Sequence, residues 1–344
     1  MRSPHLLRDR LISVIVPAFN AGQTIYETVV SALNQTHRDL EVIIVDDGST
    51  DQTRLVAAQL VERDARVRYV SKPNGGVASA RNCGIATARG EFIATLDADD
   101  LWQSTKLARQ LERFESRGPE TGLVYAWCCW IDTCANVTGF APPTRLEGRI
   151  LPEMCRGNIV ISGSNALIRR EALIAAGGFD ESLRSRGGQG CEDWKLYLQI
   201  AERHEIAMVP EYLIGYRVSP GSMSDDFAQM MQSRRFVEAE FLSRYPELSA
   251  NFARGEAILA RSLALRAIDR GHIRHAIELL TNQSQGRLTT AAASLVWLLG
   301  GSTRRLLRWL RQDVSPATNR FLPPPEPTTK RRCGTRRPNS VEGG

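Results

Sequence analysis

Several things are scarce in this chain of 344 residues, and each scarcity removes a class of protein. The seven cysteines (Cys83, Cys128, Cys129, Cys134, Cys155, Cys191 and Cys333) are odd in number and no two have Cys-x-x-Cys spacing. That disfavours a zinc site or a disulfide framework and fits a reducing compartment. No run of eighteen apolar residues exists to span a bilayer. Met1 to Asp9 is short and polar, without the apolar core of a secretory signal. Only five histidines are present, and aromatic residues make up 7% of the chain. No recognised nucleic-acid module accompanies the basic residues, so no nucleic acid is expected as a partner.

What is present is an alternation of short β-branched runs with helical spacings. Leu11 to Pro17 and Glu41 to Val45 read as strands, with apolar Ile25, Val29, Ala32 and Leu33 at helical spacing between them. Val67 to Val70 is a third strand, Gly76 to Ala88 a small-residue helix, and Phe92 to Leu96 a fourth strand. Strand, helix, strand in this order predicts a parallel sheet with helices on its faces. The fourth strand runs into Asp97-Ala98-Asp99-Asp100. A buried strand ending in three carboxylates needs something positive or hydrogen-bonding beyond it. At the carboxyl end of a parallel strand that partner is either a divalent cation bridging to a phosphate or the N-terminus of the helix expected near Gln103.

Four segments together carry a resemblance. Ser13-Val14-Ile15-Val16-Pro17-Ala18-Phe19-Asn20, Val45-Asp46-Asp47-Gly48-Ser49-Thr50-Asp51, Asn74-Gly75-Gly76-Val77-Ala78-Ser79-Ala80-Arg81-Asn82 and Asp97-Ala98-Asp99-Asp100 stand in the order and spacing of glycosyltransferase family 2. The chain resembles that family over about residues 11 to 220. The resemblance implies a GT-A fold, that is, an α/β Rossmann-like and mostly parallel sheet flanked by helices. It also implies an inverting transferase that moves a sugar from a nucleotide diphosphate, usually UDP, to an acceptor hydroxyl.

The residues read physically agree with that task. Pro17 ends the first strand, so Ala18 and Asn20 are expected to offer backbone groups to a base. Asp47, with Asp46 beside it, is a candidate acceptor of the uracil imide proton, or else an ordinary turn residue. Gly75-Gly76 opens a helix whose free amides favour anions. Arg81, within that helix, is a candidate for the nucleotide site or for a salt bridge, and Lys72 is a weaker phosphate candidate. Asp97 and Asp99, two apart in extended chain, project to one side and are able to share a ligand. By resemblance one of them holds ribose or metal, Asp99 contacts the metal directly, and Mn²⁺ or Mg²⁺ suits the oxygen ligands.

The second half is expected to supply the base. Glu192-Asp193 precedes an apparent helix from Trp194 to Ala201. Such a pair is favourable at a helix start on dipole grounds alone. In the family this position supplies the catalytic base, which favours Asp193, with Glu192 as alternative or acceptor-binding partner. Gly163 to Arg170 reads as a strand, Ser162, Ser164 and Asn165 at its start are candidate sugar contacts, and Trp102, Trp127 and Trp130 are able to stack on sugars or to pack. After Tyr216-Arg217 the family often carries a histidine, but none stands here. Arg217 and Ser222 are candidates for pyrophosphate contact.

Charge is unevenly placed. Residues 301–344 hold ten Lys or Arg against three Asp or Glu, so the net charge of +6 resides there. Before that tail, Leu288 to Gly300 is apolar and Arg304 to Arg311 alternates basic with apolar groups. This suits a helix lying at an anionic membrane surface, or one packed on its own domain. Ile258 to Leu280 reads as a helix pair around Arg270-Gly271-His272. The expected organisation is a short extension over 1–10, a catalytic domain over 11–220 (nucleotide half 11–100, acceptor half 101–220), a helical appendage over 221–313 and a basic, proline-rich, disordered tail over 314–344.

The expected protein is therefore a transferase on the cytoplasmic face of a membrane, using a nucleotide-sugar donor and a saccharide or lipid-linked acceptor in surface-polysaccharide synthesis. Two alternatives stand beside it. A sugar nucleotidyltransferase wants a glycine-rich, lysine-bearing loop after the first strand, and Ala18-Phe19-Asn20-Ala21-Gly22 is not one. A non-catalytic sugar-nucleotide-binding or partner module is the other.

Overall fold

The computed structural model describes residues 10–188, 190–219 and 227–269, together with Arg274, Ala276, Ile277 and 320–322. The expected membrane-facing stretch 288–311 and Ser222 lie outside them.

The first part of the chain alternates strands β1 (Ile12–Ala18), β2 (Leu40–Asp46), β3 (Val67–Ser71) and β4 (Phe92–Thr95) with helices α1 (Ile25–Leu33), α2 (Thr53–Arg63) and α3 (Val77–Thr87). β1 and β2 are buried along their whole length. Runs such as Ile-Ser-Val-Ile-Val form strands because branched side chains pack well on a pleated surface covered on both faces. Ile15, Ile43, Val45 and Ile93 point to one face with Ala80 and Ile85 of α3, while Val14, Val42 and Ala94 point to the other with Ile25 and Val29 of α1.

The sheet continues through β5 (Leu101–Trp102), α4 (Lys106–Arg117), β6 (Thr121–Ile131), β7 (Val137–Phe140), α5 (Leu151–Met154), β8 (Leu167–Arg169), α6 (Arg170–Ala175), α7 (Ser182–Ser185), α8 (Glu192–Ala201) and β9 (Glu205–Arg217). The strand order is β3-β2-β1-β4-β8-β6-β9-β5, with β7 paired to β6. β1 to β4 are mutually parallel, β8 is antiparallel to β4 and to β6, and β6 is parallel to β9. Consequently β1, β2, β4, β6 and β9 all end at one edge. The chain leaves β1 towards β2 on one side and later returns to β4 on the other, which makes that edge the topological switch point of the sheet.

Most expected elements differ from the observed ones only by a residue or two at their ends. The expected strand from Gly163 to Arg170 is shorter, Leu167–Arg169, because Ser164 and Asn165 bond side chain to backbone instead of joining the ladder. Two long helices follow, α9 (Phe227–Arg244) and α10 (Ser249–Asp269). Ala276 packs against Ala264 and Ala267 of α10. Within the stretch expected to be a disordered tail, Phe321 is buried against Leu101, Cys129 and Ile131, and its carbonyl accepts from Gln103 Nε2 at 2.6 Å. Cys134 is disulfide-bonded, which the sequence reading against disulfides did not anticipate, whereas Cys83, Cys128, Cys129, Cys155 and Cys191 are free thiols.

Candidate active site

The loop after β2 is tied to the loops after β1 and β3. The Asp47 amide donates to the Ala18 carbonyl at 2.8 Å, which joins the first two strand ends. The Asp47 carboxylate accepts from Lys72 Nζ at 2.6 Å and from the amides of Gly75 and Gly76 at 2.9 and 2.7 Å. Asp47 itself is thus the anion that the N-terminus of α3 holds, and Lys72 is ion-paired to it. Asp46 accepts from the Ser49 amide at 2.8 Å and from the Tyr69 hydroxyl at 2.7 Å. Asn20, at φ 51°, accepts from the Thr50 amide at 2.9 Å. Pro17 and Ala18 are buried in β1, and Phe19 beside them is 54% exposed.

The carboxylates after β4 take separate partners. Asp97 Oδ1 accepts from Arg81 Nη2 at 2.6 Å, and its amide donates to Ser164 Oγ at 2.9 Å. Asp100 is buried and accepts from Ser164 Oγ at 2.5 Å, Ser162 Oγ at 3.2 Å and the Arg217 amide at 2.8 Å. Burial, with the charges of Asp99 and Asp97, raises its pKa well above the carboxylate range. Asp99 lies between them, partly exposed, its carboxylate bonded to its own backbone amide and to no other residue's group among the described residues. Burial and the Asp97 charge, opposed by Arg217, push its pKa up to about 6.

Arg81 links the loop after β4 to the start of α8. Its Nη1 donates to Glu192 Oε1 at 2.9 Å while Nη2 holds Asp97, and its guanidinium lies 5.0 Å from the Phe179 ring centre. The side chain is 3% exposed. Burial alone works against its charge, but Asp97, Glu192 and Asp193 outweigh it and raise its pKa. A Cβ on Gly163 would fall 2.4 Å from Arg81 Nη2, so any side chain there forces the guanidinium to shift. Glu192 is buried at the first turn of α8. Asp193, next to it, accepts from the Trp194 amide at 2.6 Å and from Asn158 Nδ2 at 3.0 Å. Burial first, then the Glu192 charge, push Asp193 up to about 7 against the opposing pull of Arg81.

Two non-glycine residues of this rim occupy left-handed backbone, Ile161 at φ 77° and Cys191 at φ 65°. Such conformations cost on the order of 1–3 kcal/mol and gather at functional sites, where the surroundings over-determine them. Cys191 turns the chain directly into Glu192-Asp193.

Other sequence candidates are committed elsewhere. The Arg217 side chain, expected at a pyrophosphate, donates instead to Glu27 at 2.7 Å and to the carbonyls of Asp99, Asp132 and Thr133. It braces the acidic loop from behind. Ser162, Ser164 and Asn165 bond Asp100, the Asp97 amide and the Ala126 backbone. Trp102 is fully buried, with Nε1 on the Ser164 carbonyl at 2.7 Å, and packs rather than faces a cleft. Trp127 donates to the Thr144 carbonyl and lies 5.2 Å from Tyr212, ring centre to ring centre. Asn158 was not legible as a site residue. Nothing in its local sequence marks a residue 35 positions from Asp193 as its partner.

A mixed sheet with β1/β4 as its switch point and acidic groups gathered at the carboxyl edge is a GT-A glycosyltransferase fold. Among solved structures, Staphylococcus aureus TarS 1–349 in complex with UDP-GlcNAc is similar at TM-score 0.58 and 20% identity, covering 87% of each chain. The mannosyltransferase PcManGT of Pyrobaculum calidifontis, in complex with GDP-Man and Mn²⁺, is similar at TM-score 0.57 and 20% identity, over 88% of this chain and 82% of that one. The family profile "Glycosyl transferase family 2" matches residues 13–177, and that segment belongs to glycosyltransferase family 2. The uncharacterized glycosyltransferase EpsJ of Bacillus subtilis is 33% identical over 226 residues, 62% of this chain and 63% of EpsJ. The chain therefore spans less than two thirds of that relative.

Proposed function

We propose that this chain is an inverting glycosyltransferase that takes a sugar from a nucleotide diphosphate, UDP in the first instance, to a hydroxyl of a saccharide or lipid-linked acceptor. The observation that carries the reading is the Arg81 bridge, with Asp97 from the nucleotide half on one nitrogen and Glu192 from the acceptor half on another. The bridge sets Asp193 beside the donor carboxylates, near enough for Asp97 to raise its pKa.

Roles follow from what each side chain has left to offer. Glu192 is the counter-charge of Arg81 and has an ion pair to lose if it takes a proton. Asp193 has no cation of its own and a pKa of about 7, which suits a base working near neutrality. Asp193 removes the proton of the acceptor hydroxyl as its oxygen attacks the anomeric carbon. The bond from that carbon to the β-phosphate oxygen breaks, and its electron pair leaves with UDP, inverting the centre. Pro17, Ala18 and Asn20 line the end of β1 for the base. Asp47 keeps an unfilled lone pair on Oδ2 for a base imide, and Asp46 holds its loop.

The donor set fits a hard divalent cation. Asp99 is partly exposed, bonded only to its own amide among the described residues and raised by burial and by its neighbour's negative charge, an arrangement that a cation relieves. Two carboxylates with substrate phosphates and water are the usual complement for Mg²⁺ or Mn²⁺. Among the described residues no group of three or more His, Cys, Asp or Glu forms a closed metal cage. Asp97 and Asp99 would hold the ion, and it would supply charge neutralisation of the departing diphosphate.

Work at a membrane surface is part of the proposal and rests on the basic, apolar 288–311. Among the described residues no helix is long and apolar enough to cross a bilayer. The test is to incubate the protein with a panel of UDP-sugars, with Mn²⁺, with Mg²⁺ or with chelator, and follow UDP release and UDP binding. Release with at least one donor is expected. Absence of both release and binding in every mixture contradicts the reading.

A further inference from the structure

We infer that Asn158 is a positioning residue that aims and ionises the Asp193 carboxylate, an inference that rests on the base role proposed above for Asp193. The orientation of its amide is fixed by the turn it begins. Asn158 Oδ1 accepts from the amides of Val160 and Ile161, both at 3.1 Å. With the oxygen held by two donors, the nitrogen end of the amide has only one direction left, and it donates to Asp193 Oδ2 at 3.0 Å. The turn cannot relax readily. Ile161 sits at φ 77°, and Asn165 Nδ2 clamps the Val160 carbonyl at 2.7 Å.

Asp193 is thereby gripped at both oxygens, by the Trp194 amide on Oδ1 and by Asn158 on Oδ2. Each oxygen keeps a lone pair free for the proton of an incoming hydroxyl. The remaining groups facing Asp193 are Glu192, Tyr197 and the Cys191 thiol of its own segment, Arg81 from α3 and Asp97 from the end of β4. Among these the two carboxylates disfavour a second negative charge and Arg81 favours it. Asn158 adds a neutral donor that favours the ionised form without competing for substrate phosphate.

The first measurement needs neither donor nor acceptor. In full-length protein labelled with ¹³C at aspartate carboxyls, the Asp193 signal is identified by its loss in Asp193→Asn and followed against pH. Asn158→Ala is expected to move its titration upward by roughly one pH unit. Asn158→Asp keeps an oxygen for the Val160 and Ile161 amides, and so the turn, but loses the donor and adds charge. It is expected to move the titration further. An Asp193 titration unmoved in Asn158→Asp, with the melting temperature retained, overturns the inference and leaves the transferase reading standing. If the titration moves but Asp193→Asn still transfers sugar, Asn158 tunes Asp193 but the base role fails, and the positioning role fails with it.

Discussion

Arg81 and Glu192 meet at 2.9 Å although 111 residues separate them in the chain, and both side chains are nearly closed to solvent. This contact joins α3 to the start of α8, and most of what is expected of the protein depends on it.

Removing the cation is the severest change. Arg81→Ala leaves Glu192 buried and unpaired and Asp97 without its partner, and breaking a buried pair from one side costs about 3–5 kcal/mol. Because Asp97 is 28% exposed and is able to find water, the lower end of that range is expected. Urea unfolding of wild type and variant measures the difference, and Arg81→Lys, which lacks the two-nitrogen fork, is expected to recover only part of it.

A gentler change reaches the same contact. Gly163→Ala puts a methyl group 2.4 Å from Arg81 Nη2 and 3.2 Å from Asp97 Oδ2, forcing the guanidinium aside. Its stability loss is expected at about 1–3 kcal/mol, with UDP release falling at least tenfold, since misplacement of catalytic groups by an ångström costs far more in rate than in stability. Comparison of melts and initial rates separates the two effects.

Asp193 also predicts the pH behaviour. Its carboxyl is raised from 3.8 to about 7, so the folded chain binds that proton more tightly than the unfolded one. The stability that this proton contributes is complete below the unfolded value and is lost as pH rises through about 7. Asp193→Asn escapes the loss, and its stability relative to wild type is expected to increase as pH rises from 4 to 8. The wild-type transfer rate runs the other way, rising with pH through about 7 as the base ionises.

Cation binding is expected to follow Asp99. With its carboxyl pushed up to about 6, affinity for Mn²⁺ in the presence of UDP should strengthen as pH rises from 5 to 7. Asn in place of Asp99 should abolish the heat of binding. Isothermal titration at the two pH values, with chelator as blank, checks both.

The fold was largely legible in the sequence because β1 and β2 show their burial as branched apolar runs, interrupted only near their starts by Ser13 and Glu41, and α1 shows its own as helical spacing. The acidic clusters were visible for a similar reason, since three carboxylates after a buried strand contradict its composition. What local sequence could not express was pairing across the chain. Whether Arg81 serves a ligand or a salt bridge depends on Asp97 and Glu192, 16 and 111 residues away. Arg217 likewise reads as a loop cation until Glu27 and three carbonyls are found around it. Asn158 carries no signal at all apart from the turn it caps.

The most direct measurement compares wild type with Asp193→Asn, side by side, for UDP release from the best UDP-sugar and for UDP binding with Mn²⁺. Release reduced at least a hundredfold with binding within a factor of two is the expected result. Release at the wild-type rate by Asp193→Asn would contradict the central claim that the acid beside the Arg81 bridge is the base for transfer.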